Sequence, residues 1–210
     1  MTKKYGGWII GTIMAVLMGW GMPAWAAEGA GEDGVPLGKE VAEKEQVYAK
    51  GLTLAPFTLN GVEVKQDRSM AVPDAFKDPS TRKCKPFCVQ PAELAGTTLF
   101  KLEDFAKMSA DISSGKILIV DMRTPDWFEK GTLPGAINLP YSDLTSSATK
   151  AKAKVKKLED KDIIVFCNGW WCGQSSQGVK ALEEIQYPGK IYWFRGGNQD
   201  WVDAGLALVK

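Results

Sequence analysis

The sequence predicts an α/β fold, a small parallel sheet with helices on both faces, preceded by a mostly irregular N-terminal extension. Three observations predict it. The runs Ile117-Leu118-Ile119-Val120 and Ile163-Ile164-Val165-Phe166 are continuously apolar and largely β-branched, as strands buried on both faces are. Helical patterns separate the apolar runs, which implies right-handed crossovers between parallel strands. The second run stops at Cys167, ahead of a loop with two glycines and another helical pattern. Sheets of this kind hold their sites beyond the carboxyl ends of their strands.

Each element follows from local pattern. Ala27 to Gly38, rich in Gly, Glu and Ala, reads as a disordered lead, and Pro36 to Lys50 as a short polar helix. Phe57 to Val64 alternates around Asn60-Gly61, the signature of a β-hairpin. Gln66 to Pro91 is polar, proline-containing and aperiodic, and is expected to lie as irregular structure against the main domain. From about Leu99 the texture changes. A helix over Leu102 to Ile112 would put Leu102, Phe105, Met108 and Ile112 on one face. The strand Ile117 to Asp121, a short helix Asp126 to Lys130 and a short strand Ala136 to Leu139 follow. Tyr141 to Leu158 holds one or two helices whose lysines form a solvated face. After the strand ending at Cys167 come a helix from Ser176 to Ile185, a strand Lys190 to Phe194 and a closing helix Asn198 to Ala204. The predicted division is 1–26, 27–98 and 99–210, with no internal repeat.

The 210 residues include 4 Cys and no His. Without histidine there is no Cys–His or Ser–His pair, no imidazole base and no His-ligated zinc. A formal net charge of +1, with no basic stripe interleaved with aromatics, argues against nucleic acid as a partner. Lys3 and Lys4, the apolar run Trp8 to Trp20 and the small residues of Ala24-Trp25-Ala26 read as a signal peptide cleaved after Ala26. An uncleaved membrane anchor is the alternative. Cleavage would leave 24 basic against 25 acidic residues, no stable membrane association, and a periplasmic or secreted protein in an oxidising compartment.

Cys167 is placed where chemistry is expected. A cysteine between a strand's carboxyl end and a helix's amino end meets converging backbone N–H groups and the positive end of a helix dipole. Both favour the thiolate, which is the nucleophile, and the same N–H groups can cradle an anion. The N–H groups of Gly169 to Gly173 are expected to wrap the Cys167 sulfur. Cys172 is the rival, being nearer the helix start. A structural disulfide between the two is a third reading, and a reversible one, with Cys172 resolving a persulfide or sulfenate on Cys167, a fourth. Cys84 and Cys88, around Pro86, read as a structural disulfide. Four cysteines allow three pairings. Thiolate binding of Cu(I) or zinc is a further possibility, but Cys-x3-Cys and Cys-x4-Cys depart from the usual zinc spacings, so no metal is assigned. Trp170 and Trp171 are expected to line an apolar mouth or to pack on the extension.

Over about Leu99 to Lys210 the chain resembles a single-domain rhodanese, a thiosulfate sulfurtransferase-type domain. Asp121-Met122-Arg123 looks like the family's Asp-x-Arg, and Gly131-Thr132-Leu133-Pro134-Gly135-Ala136-Ile137-Asn138-Leu139-Pro140 is similar to its Gly-His-Ile-Pro-Gly-Ala-x-Asn-x-Pro segment. The strand–cysteine–loop–helix unit follows, then Arg195-Gly196-Gly197 with Trp201, Gly205 and Leu206. The segment around Cys84 and Cys88 resembles the pre-domain part of some exported rhodaneses. The chain departs from the pattern where the family's cysteine, four residues, then arginine would stand. Here Ser175 aligns with that arginine, and the loop is about three residues longer and holds a second cysteine. The family's histidine is Thr132, at a position expected to be structural.

The resemblance implies a sulfurtransferase in which Cys167, or Cys172, accepts a sulfane sulfur as a persulfide and yields it to an acceptor. Gly169, Trp170, Trp171, Gly173, Gln174, Ser175 and Ser176 would surround the substrate. Asp121, Arg123 and Arg195 are expected to be structural, Arg195 alternatively a cation near the site. The implied partners are small sulfur-containing anions or a thiol acceptor, and no cofactor is implied. A non-catalytic binding module of the same fold, or a thiol-disulfide or metal-handling protein, are the competing functions.

Overall fold

The computed structural model describes residues 35–210. The signal-peptide reading and most of the expected lead lie outside them. Among the described residues no helix is long and apolar enough to cross a membrane.

The extension opens with α1 (Lys39–Gly51) and a hairpin of β1 (Phe57–Leu59) and β2 (Val62–Val64). Asn60 and Gly61 both take positive φ, 49° and 80°, which a two-residue turn joining right-twisted strands requires. Leu59 and Val64 face inward and are buried. The predicted irregular stretch holds only α2 (Asp74–Lys77) and one 3-10 turn, Pro79–Thr81.

The domain proper has a five-stranded parallel sheet of β3 (Thr98–Leu99), β4 (Ile117–Asp121), β5 (Ile137–Asn138), β6 (Asp162–Phe166) and β7 (Ile191–Phe194), in the order β3-β7-β6-β4-β5. The central strand, β6, pairs with β4 on one side and β7 on the other, with Val165 opposite Val120 and Trp193. The period-2 alternation of a strand divides its side chains between two cores. Ile164 and Phe166 join Ile117, Ile119 and Phe194 on one face, under α3 (Asp104–Lys107), α4 (Ser109–Ser113) and α9 (Gly197–Asp203). Ile163 and Val165 join Val120, Ile191 and Trp193 on the other. That face is covered by α6 (Tyr141–Thr145), α7 (Ala148–Val155) and α8 (Gln174–Glu184), while α5 (Pro125–Glu129) follows β4.

Two expectations are corrected, and one strand goes beyond them. The helix expected over Leu102 to Ile112 is two, α3 and α4, broken at Met108, whose φ of −103° and ψ of 9° leave the helical region. Leu102, Phe105 and Ile112 are buried all the same, so the apolar face survives the break. The helix expected from Ser176 begins at Gln174, because Gly173 already serves as its N-cap. The edge strand β3 had no signal in its two residues. It exists because Thr98 and Leu99 pair with Tyr192 and Trp193 of β7, and Phe100 N–H bonds to Trp193 O at 2.9 Å.

The extension shares the domain's core, since Leu59 and Val64 sit in one cluster with Leu102, Phe105, Phe194 and Trp201. Phe105, fully buried, is ringed edge-on by Phe100, Phe194 and Trp201 at 4.8, 5.1 and 5.3 Å between centroids. Phe105→Ala is expected to lower the unfolding free energy by about 3–5 kcal/mol in urea titration. A loss under about 1 kcal/mol would mean that this aromatic cluster does not hold the extension-facing side of the sheet.

Candidate active site

Central strand β6 ends at Phe166, so Cys167 emerges at the carboxyl edge of the sheet, directly before the loop to α8. A turn closed by Cys172 N–H to Gly169 O (2.9 Å) folds this loop back on itself. It carries the Cys172 carbonyl to 2.9 Å from Cys167 Sγ. Both cysteines are free thiols and both are buried, with 1% and 2% exposure.

Several elements fix the loop from outside. The start of α9 clasps it, with Asn198 N–H bonding to Cys167 O (3.1 Å) and Gln199 N–H to Asn168 O (2.8 Å). Gly197 permits that approach. Its φ is +53°, and a Cβ there would stand 2.2 Å from Cys167 O. Below the loop, Asp121 at the end of β4 accepts from the Arg123 backbone N–H (3.0 Å), from Arg123 Nε and Nη2, and from Thr132 Oγ1 (2.7 Å). Arg123 then donates from Nη2 to Gly131 O (2.7 Å) and from Nη1 to Asn168 Oδ1 (3.2 Å). Arg123 and Asp121 are 1% and 0% exposed at their side chains. They brace the loop without touching either cysteine sulfur in these contacts. Arg195 lies elsewhere. It pairs with Glu45 (2.6 Å) and donates to the carbonyls of Gln90 and Pro91, tying the domain to the extension.

The electrostatics separate the two thiols. Burial alone would raise the pKa of Cys167, but hydrogen bonds from the Cys172 thiol, the Ser175 hydroxyl and the Ser175 and Gly169 backbone N–H groups overcome it. The Cys167 pKa falls from 9.0 to about 7. Ser175 Oγ lies 3.3 Å from Cys167 Sγ. Its direction is fixed because the Trp193 indole N–H, from β7, donates to the same Oγ at 3.1 Å. That leaves the serine proton for the sulfur. When Cys167 is protonated, its thiol can donate instead to Cys172 O. Burial, joined by the charge forming on Cys167, pushes the Cys172 thiol well above its ordinary value. The pair therefore ionises at Cys167 while Cys172 stays a neutral donor.

Of the expected Gly169 to Gly173 wrapping, the Gly169 N–H reaches Cys167, and the other backbone donor is Ser175, beyond that stretch. The Cys172 N–H is engaged in the turn instead. The side chains expected to line an open mouth are covered. Trp170 and Trp171 have no exposure. Phe87 packs edge-on to Trp171 at 5.4 Å, the Arg82 guanidinium lies 4.0 Å over its ring, and Trp171 Nε1 donates to Gln199 Oε1 (3.2 Å). Gln90 N–H bonds to Trp170 O (2.7 Å), and Ser176 Oγ donates to Gln90 Oε1 (2.7 Å). Gln174 lies 3.7 Å from Cys172 Sγ, and Gly173 caps α8. In the same covering segment the structure joins Cys84 to Cys88. A cavity of about 270 Å³ beside Glu45, Tyr48, Arg195 and Asp200 is lined by neither cysteine.

Sequence reasoning missed Asn168, Trp193, Gln90, Arg82 and Phe87. Asn168 was marked only by following Cys167. Trp193 carried one usable signal, since a buried indole N–H needs an acceptor. The three residues of the extension carried none, because their approach to the loop depends on tertiary packing.

A parallel α/β sheet with an ionisable cysteine at the carboxyl end of its central strand defines a cysteine-loop protein of the rhodanese class. Residues 104–204 match the family described as Rhodanese-like domain, so this part of the chain is a rhodanese-like domain. Thiosulfate:glutathione sulfurtransferase of Homo sapiens is 25% identical over 121 residues, 52% of this chain and 97% of that protein. A sulfurtransferase of Allochromatium vinosum is 28% identical over 93 residues, 44% and 78% of the two chains. An HTH-type transcriptional regulator of Mycobacterium tuberculosis is 28% identical over 95 residues, 45% of this chain. This chain spans only 38% of that regulator's length.

Asp121→Asn would leave the Arg123 guanidinium buried without its counter-charge. The expected loss is about 3–5 kcal/mol of unfolding free energy by chemical denaturation. An unchanged midpoint would show that the pair does not brace the loop.

Proposed function

We propose that the protein is a sulfurtransferase that moves a sulfane sulfur from a donor such as thiosulfate to a thiophilic acceptor through a persulfide on Cys167. One observation carries the reading. Cys167 Sγ is held by donors that suit an anion, among them a Ser175 hydroxyl oriented by Trp193. The thiolate attacks the outer sulfur of the donor, and sulfite leaves with the electron pair of the broken S–S bond. The acceptor nucleophile then takes the terminal sulfur. No general base is required, because the thiol ionises near pH 7, so the absence of histidine is no obstacle. Ser175, Ser176, Gln174 and the loop backbone are the groups available to the donor. Access requires the segment from Arg82 to Gln90 to lift away.

Export to an oxidising compartment belongs to the same proposal. It is supported by Lys3, Lys4 and Ala24-Trp25-Ala26 in the sequence and by the Cys84–Cys88 bond. A second reading, a non-catalytic module of the same fold, is favoured by the near-complete burial of both thiols.

The test is to incubate the reduced protein with thiosulfate, weigh it, and follow thiocyanate formation on adding cyanide. A one-sulfur adduct and thiocyanate are expected, both lost in Cys167→Ser. If neither the reduced protein nor Cys172→Ser forms an adduct, thiocyanate or sulfide, the transfer reading fails and the binding module stands.

A further inference from the structure

The second cysteine of the loop plays no part in the two-step transfer, yet the fold brings it to the sulfur that carries it. The turn from Gly169 to Cys172 returns the chain so that Cys172 O lies 2.9 Å from Cys167 Sγ and the two cysteines pack in one buried cluster. A persulfide on Cys167 would therefore form beside Cys172. Trp170, Trp171 and the Phe87–Gln90 segment cover the loop and leave the two cysteines 1% and 2% exposed, so that Cys172 is at hand while the loop is covered. Cys172 is also a free thiol, with Asn168 Nδ2 at 4.0 Å and Gln174 Oε1 at 3.7 Å from its sulfur.

We propose that Cys172 is the protein's own resolving thiol, so that the loop releases the transferred sulfur as hydrosulfide and closes as a Cys167–Cys172 disulfide. The proposal rests on persulfide formation at Cys167. The Cys172 sulfur attacks Cys167 Sγ, and the S–S bond to the terminal sulfur breaks. The departing sulfur takes that bond's electron pair and the Cys172 proton, leaving as HS⁻. Cys172 and Cys167 are oxidised together to the disulfide as the sulfane sulfur is reduced. An external dithiol then reduces the disulfide by exchange and is itself oxidised, which restores both thiols. With thiosulfate as donor the balance is one sulfite and one hydrosulfide for each dithiol oxidised. Because burial keeps the Cys172 thiol protonated, its proton passes to the departing sulfur as the Cys172 sulfur attacks, so that a thiolate forms the new bond.

The experiment follows the fully reduced wild-type protein and Cys172→Ser after one addition of thiosulfate, with no other thiol or cyanide present. Intact mass and released sulfide are read over time. The wild type is expected to pass to a form two hydrogens lighter than the reduced protein, releasing sulfide in step. Cys172→Ser is expected to keep its one-sulfur adduct at least about tenfold longer and to release no sulfide. A wild-type adduct that persists, with neither sulfide nor the lighter form, overturns the resolving role of Cys172 and leaves the transferase reading intact. If neither protein ever carries an added sulfur and the wild type releases no sulfide, both readings fall. Peptide mapping of the wild type alone, locating the new bond between Cys167 and Cys172, decides the matter should the variant fold poorly.

Discussion

A buried sulfur can be an anion only if enough donors point at it, and the fold of this chain is arranged around meeting that condition for Cys167. Burial raises a thiol's pKa, and no imidazolium is available to offset it, since the chain has no histidine. The correction comes from hydrogen bonds alone, and the one from Ser175 is the best defined. Its orientation depends on Trp193, which belongs to β7, next to β6 in the sheet. The state of one thiol thus depends on the register between two strands and on the depth at which α8 begins. The residue that stands where the family has arginine has become a short neutral donor, suited to a sulfur too enclosed for a guanidinium to share.

A second constraint acts on the loop's position. Its backbone is gripped by α9 from one side and by the Asp121–Arg123–Asn168 chain of hydrogen bonds from another. Thr132, where the family carries histidine, contributes by donating to Asp121. The extension supplies the third side, with Phe87, Gln90 and Arg82 against Trp170, Trp171 and Ser176. Water exclusion strengthens each hydrogen bond to the sulfur. The extension thereby closes one side of the cysteine loop.

The sheet was legible because buried parallel strands leave an unmistakable pattern. Ile117 to Val120 and Ile163 to Phe166 are apolar on both faces and largely β-branched, as buried parallel strands are. The Asn60-Gly61 hairpin was equally plain, its turn chemistry being local. What escaped was whatever local sequence does not decide. β3 is two residues long and exists through its pairing with β7. The break at Met108 separates two short helices that share one apolar face, which periodicity cannot distinguish from a continuous helix. At the site, strand placement pointed to Cys167, and the loop's extra length to Cys172. That one thiol would donate to the other, and that Trp193 would aim Ser175, required three segments far apart in sequence to meet.

The claim beneath the whole account is that Cys167 ionises far below an ordinary thiol while Cys172 does not. The direct measurement is a pH titration of ultraviolet thiolate absorbance on the reduced protein, with Cys167→Ser and Cys172→Ser as references. The account predicts a transition with a midpoint about 7, present in the reduced protein and missing from Cys167→Ser. A reduced protein that shows no thiolate until the ordinary cysteine range near 9.0, or whose early transition survives Cys167→Ser, would contradict it.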